Sequence, residues 1–64
     1  MNINSMVPPF TIEFRMTGED DWEELPGRWL SGQDAIYVAK QIGKIAYDIR
    51  VMEKGIQYWY VPIP

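Results

Sequence analysis

The chain has 64 residues, a net charge of −3 at neutral pH and a hydrophobic fraction of 47%, which predict one small folded domain rather than a disordered segment. It contains no Cys and no His, so disulfides and the Ser-His-Asp or Cys-His arrangements of nucleophilic catalysis are excluded, and a structural zinc site is disfavoured. The six Lys and Arg residues are scattered whereas the acidic residues cluster, which favours a basic partner protein over nucleic acid.

The first predicted element is a β-strand that follows a loose N-terminal lead-in over residues 1–9. Because proline lacks an N–H and restrains the residue before it, strand pairing should begin after Pro8 and Pro9. Residues 10–16 alternate between apolar and polar side chains, which is the period of a half-buried strand. We expect its core side to be formed by Phe10, Ile12, Phe14 and Met16.

A hairpin is predicted next. Residues 17–21 are polar and include a glycine, which is typical of a turn. Residues 22–25 predict a weaker strand, which a Pro-Gly pair interrupts and which residues 28–30 resume beyond a bulge. Since proline within such a run favours an edge position, we place this strand at the edge of the sheet, with Leu25 and Trp29 covering the core.

A helix is predicted over residues 32–46. Ser31 is suited to accept hydrogen bonds as its N-cap, and Asp34 lies near the positive end of the helix dipole. Gly43 weakens the helix by about 1 kcal/mol relative to alanine, and we expect it to let the helix approach its neighbour closely. The apolar spacing predicts a stripe that faces a sheet. This stripe consists of Ala35, Val38, Ala39, Ile42, Ile45 and Ala46.

The C-terminal part of the chain predicts a second hairpin, with strands over residues 47–52 and 56–61. A two-residue turn at Lys54-Gly55 is preferred. The resulting pairs are Tyr58 with Val51 and Tyr60 with Ile49 on the core side, and Trp59 with Arg50 on the other side. A three-residue turn with a bulge would instead shift the register by one residue and turn Trp59 inward.

The predicted order of elements is β-β-α-β-β. It favours an α+β fold in which one helix covers one face of a small antiparallel sheet. The strand order 2-1-3-4 places the two most regular strands in the centre. We expect a single domain over residues 1–64 that starts at its own Met1 in the cytoplasm, because no apolar run approaches the ~20 residues of a membrane span and the N-terminus lacks a signal-peptide pattern.

The first candidate for binding is an acidic segment, residues 19–24, in which carboxylates surround Trp22. Carboxylates on a surface turn are solvated, which disfavours acid–base catalysis, and their spacing lacks the pattern of a calcium loop. One interpretation is a solvated loop that aids solubility, and the other is recognition of a partner. Trp22 is then either an interface anchor or a cap on the end of the core. The acidic residues are Glu19, Asp20, Asp21, Glu23 and Glu24.

The second candidate is the open face, meaning the side of the sheet away from the helix. In the preferred register Arg50, Met52 and Trp59 lie on it, a composition close to that of protein interfaces. The alternative is that Arg50 stacks on Trp59 as an intramolecular cation–π pair and the N-terminal lead-in covers Val61. The other residues expected on this face are Thr11, Glu13, Arg15, Asp48, Gln57 and Val61.

The third candidate is the edge of the last strand. Free strand edges pair with other chains unless they are blocked, and Pro62 and Pro64 are expected to block this one. A homodimer through this edge is the alternative.

In size, order of elements and its acidic stretch, the chain resembles small phage-encoded inhibitors of host enzymes. Several of those proteins are acidic and consist of a hairpin, a helix and a further strand. No specific motif is shared, so no functional residue is carried over. The resemblance implies inhibition of a host nucleic-acid enzyme or defence complex by occupation of its basic channel.

We therefore expect a non-enzymatic protein-interaction module, without cofactor or metal, that binds a basic surface of a partner protein. The alternative is a structural or assembly subunit, or a homo-oligomer, that acts through its open face. Binding of nucleic acid through Arg15, Arg50 and Trp59 would need a basic groove, which the net charge opposes.

Overall fold

A computed structural model describes residues 7–43 and 48–62, which form a four-stranded antiparallel sheet with one helix packed on one face. The strands lie in the order β2-β1-β3-β4. The predicted α+β fold and strand order are confirmed. The elements in chain order are β1 (Phe10–Arg15), β2 (Glu23–Glu24), α1 (Gly32–Ile42), β3 (Asp48–Glu53) and β4 (Ile56–Pro62).

The central pair of strands, β1 and β3, provides most of the core. All six residues of each strand pair in one continuous register. Ile12 opposes Val51 across it, and both side chains are fully buried, each contributing about 1.5–3 kcal/mol by leaving water. Because β1 ends at Arg15, one residue earlier than predicted, Met16 does not join the core side and is 53% exposed.

The N-terminus of α1 is capped as predicted. The hydroxyl oxygen of Ser31 accepts hydrogen bonds from the backbone N–H of Gln33 at 3.1 Å and of Asp34 at 3.4 Å. The helix ends at Ile42 with Gly43 as its C-cap, and the rest of its predicted length, residues 44–46, lies outside the described residues. Within the part of the chain that the structure describes, no helix is long and apolar enough to cross a membrane.

Small residues let α1 lie close to the sheet. Ala35 and Ala39 face it with no exposed surface. The tightest approach is at Gly32, where an added Cβ would lie 2.5 Å from the ring of Tyr58. A Cβ at Gly43 would meet its nearest side chain, on β3, at an ordinary 3.8 Å. The close approach expected at Gly43 is therefore found at the other end of the helix, because the aromatic strand β4 lies against that end.

The first hairpin has the interrupted form that the sequence predicts. Only Glu23–Glu24 is regular strand, but Leu25 continues the pairing by donating its N–H to the carbonyl of Ile12 at 2.8 Å. Beyond the Pro-Gly pair, Trp29 exchanges two hydrogen bonds with Phe10, at 3.1 and 2.9 Å. Leu25 and Trp29 both pack against the core, as predicted.

The second hairpin differs from the preferred register. Its turn is the predicted two-residue one, with Lys54 and Gly55 both at positive φ (52° and 83°), as a type I′ turn requires. A bulge then leaves Tyr58 without a partner, so Val51 opposes Trp59. The preferred pairing of Tyr58 with Val51 is therefore wrong. The alternative register, which turns Trp59 inward, is correct for that residue. Its extra residue is Tyr58 in the strand, and not a third residue in the turn. The bulge lets the large indole pack against the core.

Candidate functional site

The open face carries two ion pairs side by side. Nε of Arg15 donates to Oδ2 of Asp48 at 2.7 Å, and Nε of Arg50 donates to Oε1 of Glu13 at 2.7 Å. The register sets both pairs, because each arginine lies directly opposite its carboxylate across β1 and β3. The Asp48 side chain is only 6% exposed, against 22–23% for the other three.

Trp22 lies against both ion pairs. The Cζ atoms of Arg15 and Arg50 are 4.4 and 4.1 Å from the centroid of its indole ring. Cation–π contacts of this kind contribute about 0.5–1 kcal/mol each at partly exposed sites. The ring of Tyr60, opposite Arg50 on β4, meets the indole edge-on with centroids 6.2 Å apart. We call these six residues the open-face cluster: Glu13, Arg15, Trp22, Asp48, Arg50 and Tyr60.

The open-face cluster is electrically balanced, since it holds two guanidinium groups and two carboxylates. Each guanidinium directs its Nε–H at a carboxylate and stacks against the indole. An arginine engaged in both ways is fixed in one conformation and is a poor receptor for a further anion. The chemistry of the cluster is therefore that of an anchor, which holds the chain at Trp22 against the sheet.

The acidic segment, residues 19–24, is fixed by this anchor and by the turn before it. The carboxylate of Asp20 accepts a hydrogen bond from the Thr17 N–H at 3.1 Å, and the Asp20 N–H donates to the Thr17 carbonyl at 3.2 Å. All five acidic residues of the segment are exposed. Among the described residues both ion pairs lie in the open-face cluster, so the carboxylates of the segment face solvent without an ion pair to a described cation.

Two residues expected on the open face lie on the helix-covered face, and a third is on the open face but nearly buried. Trp59 points toward the helix-covered face and packs on the core, because the bulge reverses it. Met52 does lie on the open face but is only 9% exposed. Val61 opposes Ile49 on the helix-covered face and is 42% exposed, so its expected face is wrong. Most of the lead-in that was expected to cover it, residues 1–6, lies outside the described residues.

The cation–π pair predicted for Arg50 exists with a different tryptophan. Arg50 stacks on Trp22 and not on Trp59. The sequence predicts Trp22 to be either an interface anchor or a cap on the end of the core. It lies on the face away from the helix and anchors the acidic segment within the chain, so its core-cap role was wrong. Tyr60, predicted on the core side, takes part in this contact on the open face.

Sequence reasoning placed Glu13, Arg15 and Asp48 on the open face but did not predict the ion pairs that they form. A signal for them is present in the chain. β1 contains Glu-x-Arg and β3 contains Asp-x-Arg, so antiparallel pairing of these motifs places each arginine opposite a carboxylate. The same register, continued into the first hairpin, brings Trp22 level with Arg15.

Residues 7–43 and 48–62 contain no group of three His, Cys, Asp or Glu side chains close enough together to hold a metal ion.

No protein-family model, no curated protein and no solved structure matches the chain.

Proposed function

We propose that the chain is a non-enzymatic protein-interaction module that binds a basic surface of a partner protein through the acidic segment. The observation that supports this most is the contrast within residues 19–24. The carboxylates are exposed, whereas Trp22 among them is half-buried and stacked on Arg15 and Arg50. A charged segment already held in place loses less conformational entropy on binding than a free loop does.

The charge distribution supports the same proposal. Five of the nine acidic residues lie in this one segment, while two of the six basic residues are neutralised in the open-face cluster. A concentrated negative patch accelerates encounter with a positive surface and directs its orientation. Binding of this type weakens as salt rises, since exposed charges are screened within about 10 Å at 0.1 M ionic strength.

The absence of His and Cys from the sequence supports a binding role over a catalytic one. Asp48 is the one buried carboxylate among the described residues, and it is hydrogen-bonded to Arg15. The carboxylates of the acidic segment are exposed to water, whereas general acid–base catalysis uses carboxyl groups enclosed in a cleft.

A matched pair of variants tests the proposal. One variant carries Glu23→Gln and Glu24→Gln in the acidic segment, and the other carries Asp34→Asn and Glu53→Gln elsewhere on the surface. Both lose two exposed negative charges. Affinity capture from the cells that express the chain identifies partners, and titration with a purified partner then gives the dissociation constant of each variant.

We expect the segment variant to bind about tenfold more weakly or worse, and the control variant to bind like the parent chain. The difference between the parent and the segment variant should shrink at high salt. Equal affinities for the two variants would mean that the acidic segment is only a solvated loop.

The narrower form of the proposal, inhibition of a nucleic-acid enzyme through its basic channel, rests on the resemblance in layout and on the exposed acidic side chains. Single-stranded DNA should then displace the chain from its captured partner. Simultaneous binding of DNA and the chain would contradict this form and leave the broader proposal intact.

A further inference from the structure

The outer edge of β4 differs from the edges that proteins usually leave free. From Ile56 to Pro62 the strand carries no charged side chain. Four of its apolar or aromatic side chains are exposed, Ile56 at 72%, Tyr58 at 50%, Tyr60 at 37% and Val61 at 42%. Free edges are normally protected by charge or by short length, and the opposite edge of this sheet has both, since β2 is two glutamates.

We propose that β4 pairs antiparallel with β4 of a second copy of the chain, about a two-fold axis at Tyr60. Tyr60 then opposes its own copy on the open face. Trp59 and Val61 both point to the helix-covered face. Trp59 of each copy then lies opposite Val61 of the other copy, so this pair occurs twice in the contact. Aromatic residues opposite β-branched residues are favourable cross-strand pairs, so the register is complementary to itself.

Charge explains why a second copy fits this edge. The chain has a net charge of −3, yet an uncharged strand meeting its own copy brings no like charges together. The strand order β2-β1-β3-β4 places the acidic segment, which includes β2, at the edge farthest from the contact. Pairing through β4 therefore leaves both acidic segments at the outer ends of one eight-stranded sheet, where they repel each other least and remain open to partners.

Of the two prolines expected to block this edge, Pro62 lies at the end of β4 and Pro64 lies outside the described residues. Pro62 is the last residue of β4, and the bulge at Tyr58 precedes the regular stretch. In the register centred on Tyr60, Pro62 opposes the bulge of the other copy, where strand hydrogen bonds are already interrupted. The missing proline N–H therefore removes little from the pairing.

Sedimentation velocity tests the association itself. The parent chain should shift from monomer to dimer as its concentration rises through the range from about 10 μM to about 1 mM, which suits a small interface. Val61→Lys should remain monomeric, because it places two charges in the contact. Leu30→Lys makes the same change at a side chain 74% exposed outside the strands, and it should dimerise like the parent. A parent chain that is monomeric at every concentration, or two lysine variants that behave alike, would overturn the proposal.

A cysteine pair tests the register. The chain has no Cys, so Tyr60→Cys introduces a single thiol. Directly opposed residues have Cα atoms about 4.5–5.5 Å apart, within reach of a disulfide. Gln57→Cys, also on the open side of β4, would lie roughly 20 Å from its copy and serves as the control. Rapid covalent dimerisation of Tyr60→Cys alone under mild oxidation supports the register, whereas equal rates for the two variants contradict it.

Discussion

The two faces of the sheet are built from the same strands but are stabilised in different ways. On the helix-covered face, Ile12 and Val51 meet the alanines of α1 and no water reaches them. On the open face, alternate residues of β1 and β3 form ion pairs that Trp22 covers only in part. Burial stabilises the first face, whereas pairing and stacking stabilise the second and also hold the acidic segment. Substitutions on the two faces should therefore differ in magnitude and in salt dependence.

The largest effect is expected on the helix-covered face. Ile12→Ala removes a fully buried side chain and should lower the free energy of unfolding by about 2–5 kcal/mol. A domain of this length has a total stability of roughly 3–10 kcal/mol, so this one substitution should remove a large share of it. Urea denaturation followed by circular dichroism measures the loss, and a loss below about 1 kcal/mol would contradict the placement of Ile12 in the core.

A smaller effect is expected at the buried ion pair of the open face. Asp48→Asn leaves the guanidinium of Arg15 without its charged acceptor and should cost about 1.5–3 kcal/mol, the usual contribution of a hydrogen bond to a charged group. Glu53→Gln, on the same strand but exposed, should change stability by no more than about 0.5 kcal/mol. Equal losses in the two variants would mean that Asp48 is solvated.

The contact between Trp22 and the two arginines should contribute less to the free energy of unfolding than the Arg15–Asp48 ion pair does. Trp22→Leu keeps an apolar side chain but removes both cation–π contacts, and should cost about 1–2 kcal/mol. Tyr37→Leu is the matched control, because Tyr37 lies on the outer face of α1 and is 67% exposed. Thermal denaturation of the two variants should show a clearly lower midpoint for Trp22→Leu alone.

The smallest effect is expected where α1 meets β4. Gly32→Ala adds a Cβ that displaces the ring of Tyr58, whose edge contact with Phe10 has ring centroids 4.9 Å apart. The loss should be about 1 kcal/mol, since such aromatic pairs contribute about 0.5–1.5 kcal/mol. Gly18→Ala, where nothing lies within 4 Å of the added Cβ, is the control. In a Tyr58→Ala background the cost of Gly32→Ala should disappear.

Much of the fold was predictable because the local sequence patterns favour the same strands, helix and turn that the complete fold contains. The alternation that starts at Phe10, the Ser31 cap and the Lys54-Gly55 turn each depend on a few neighbouring residues, and each is found as expected. The strand order followed from placing the two most regular strands in the centre.

The candidate site was less predictable because it depends on register between distant strands. One unpaired residue, Tyr58, reverses the direction of every later side chain in β4, and no local pattern marks the bulge. Trp59 and Tyr60 were therefore assigned to the wrong faces. The stacking of Trp22 on Arg50 likewise joins residues far apart in sequence, which composition does not reveal.

Side-chain proximity measured by nuclear Overhauser spectroscopy tests the central claim most directly, namely that Trp22 anchors the acidic segment to the two arginines. The structure predicts cross-peaks from the Trp22 indole to the side chains of Arg15 and Arg50, and from the Trp59 indole to Val51. Cross-peaks between Trp59 and Arg50, with none from Trp22 to either arginine, would contradict it.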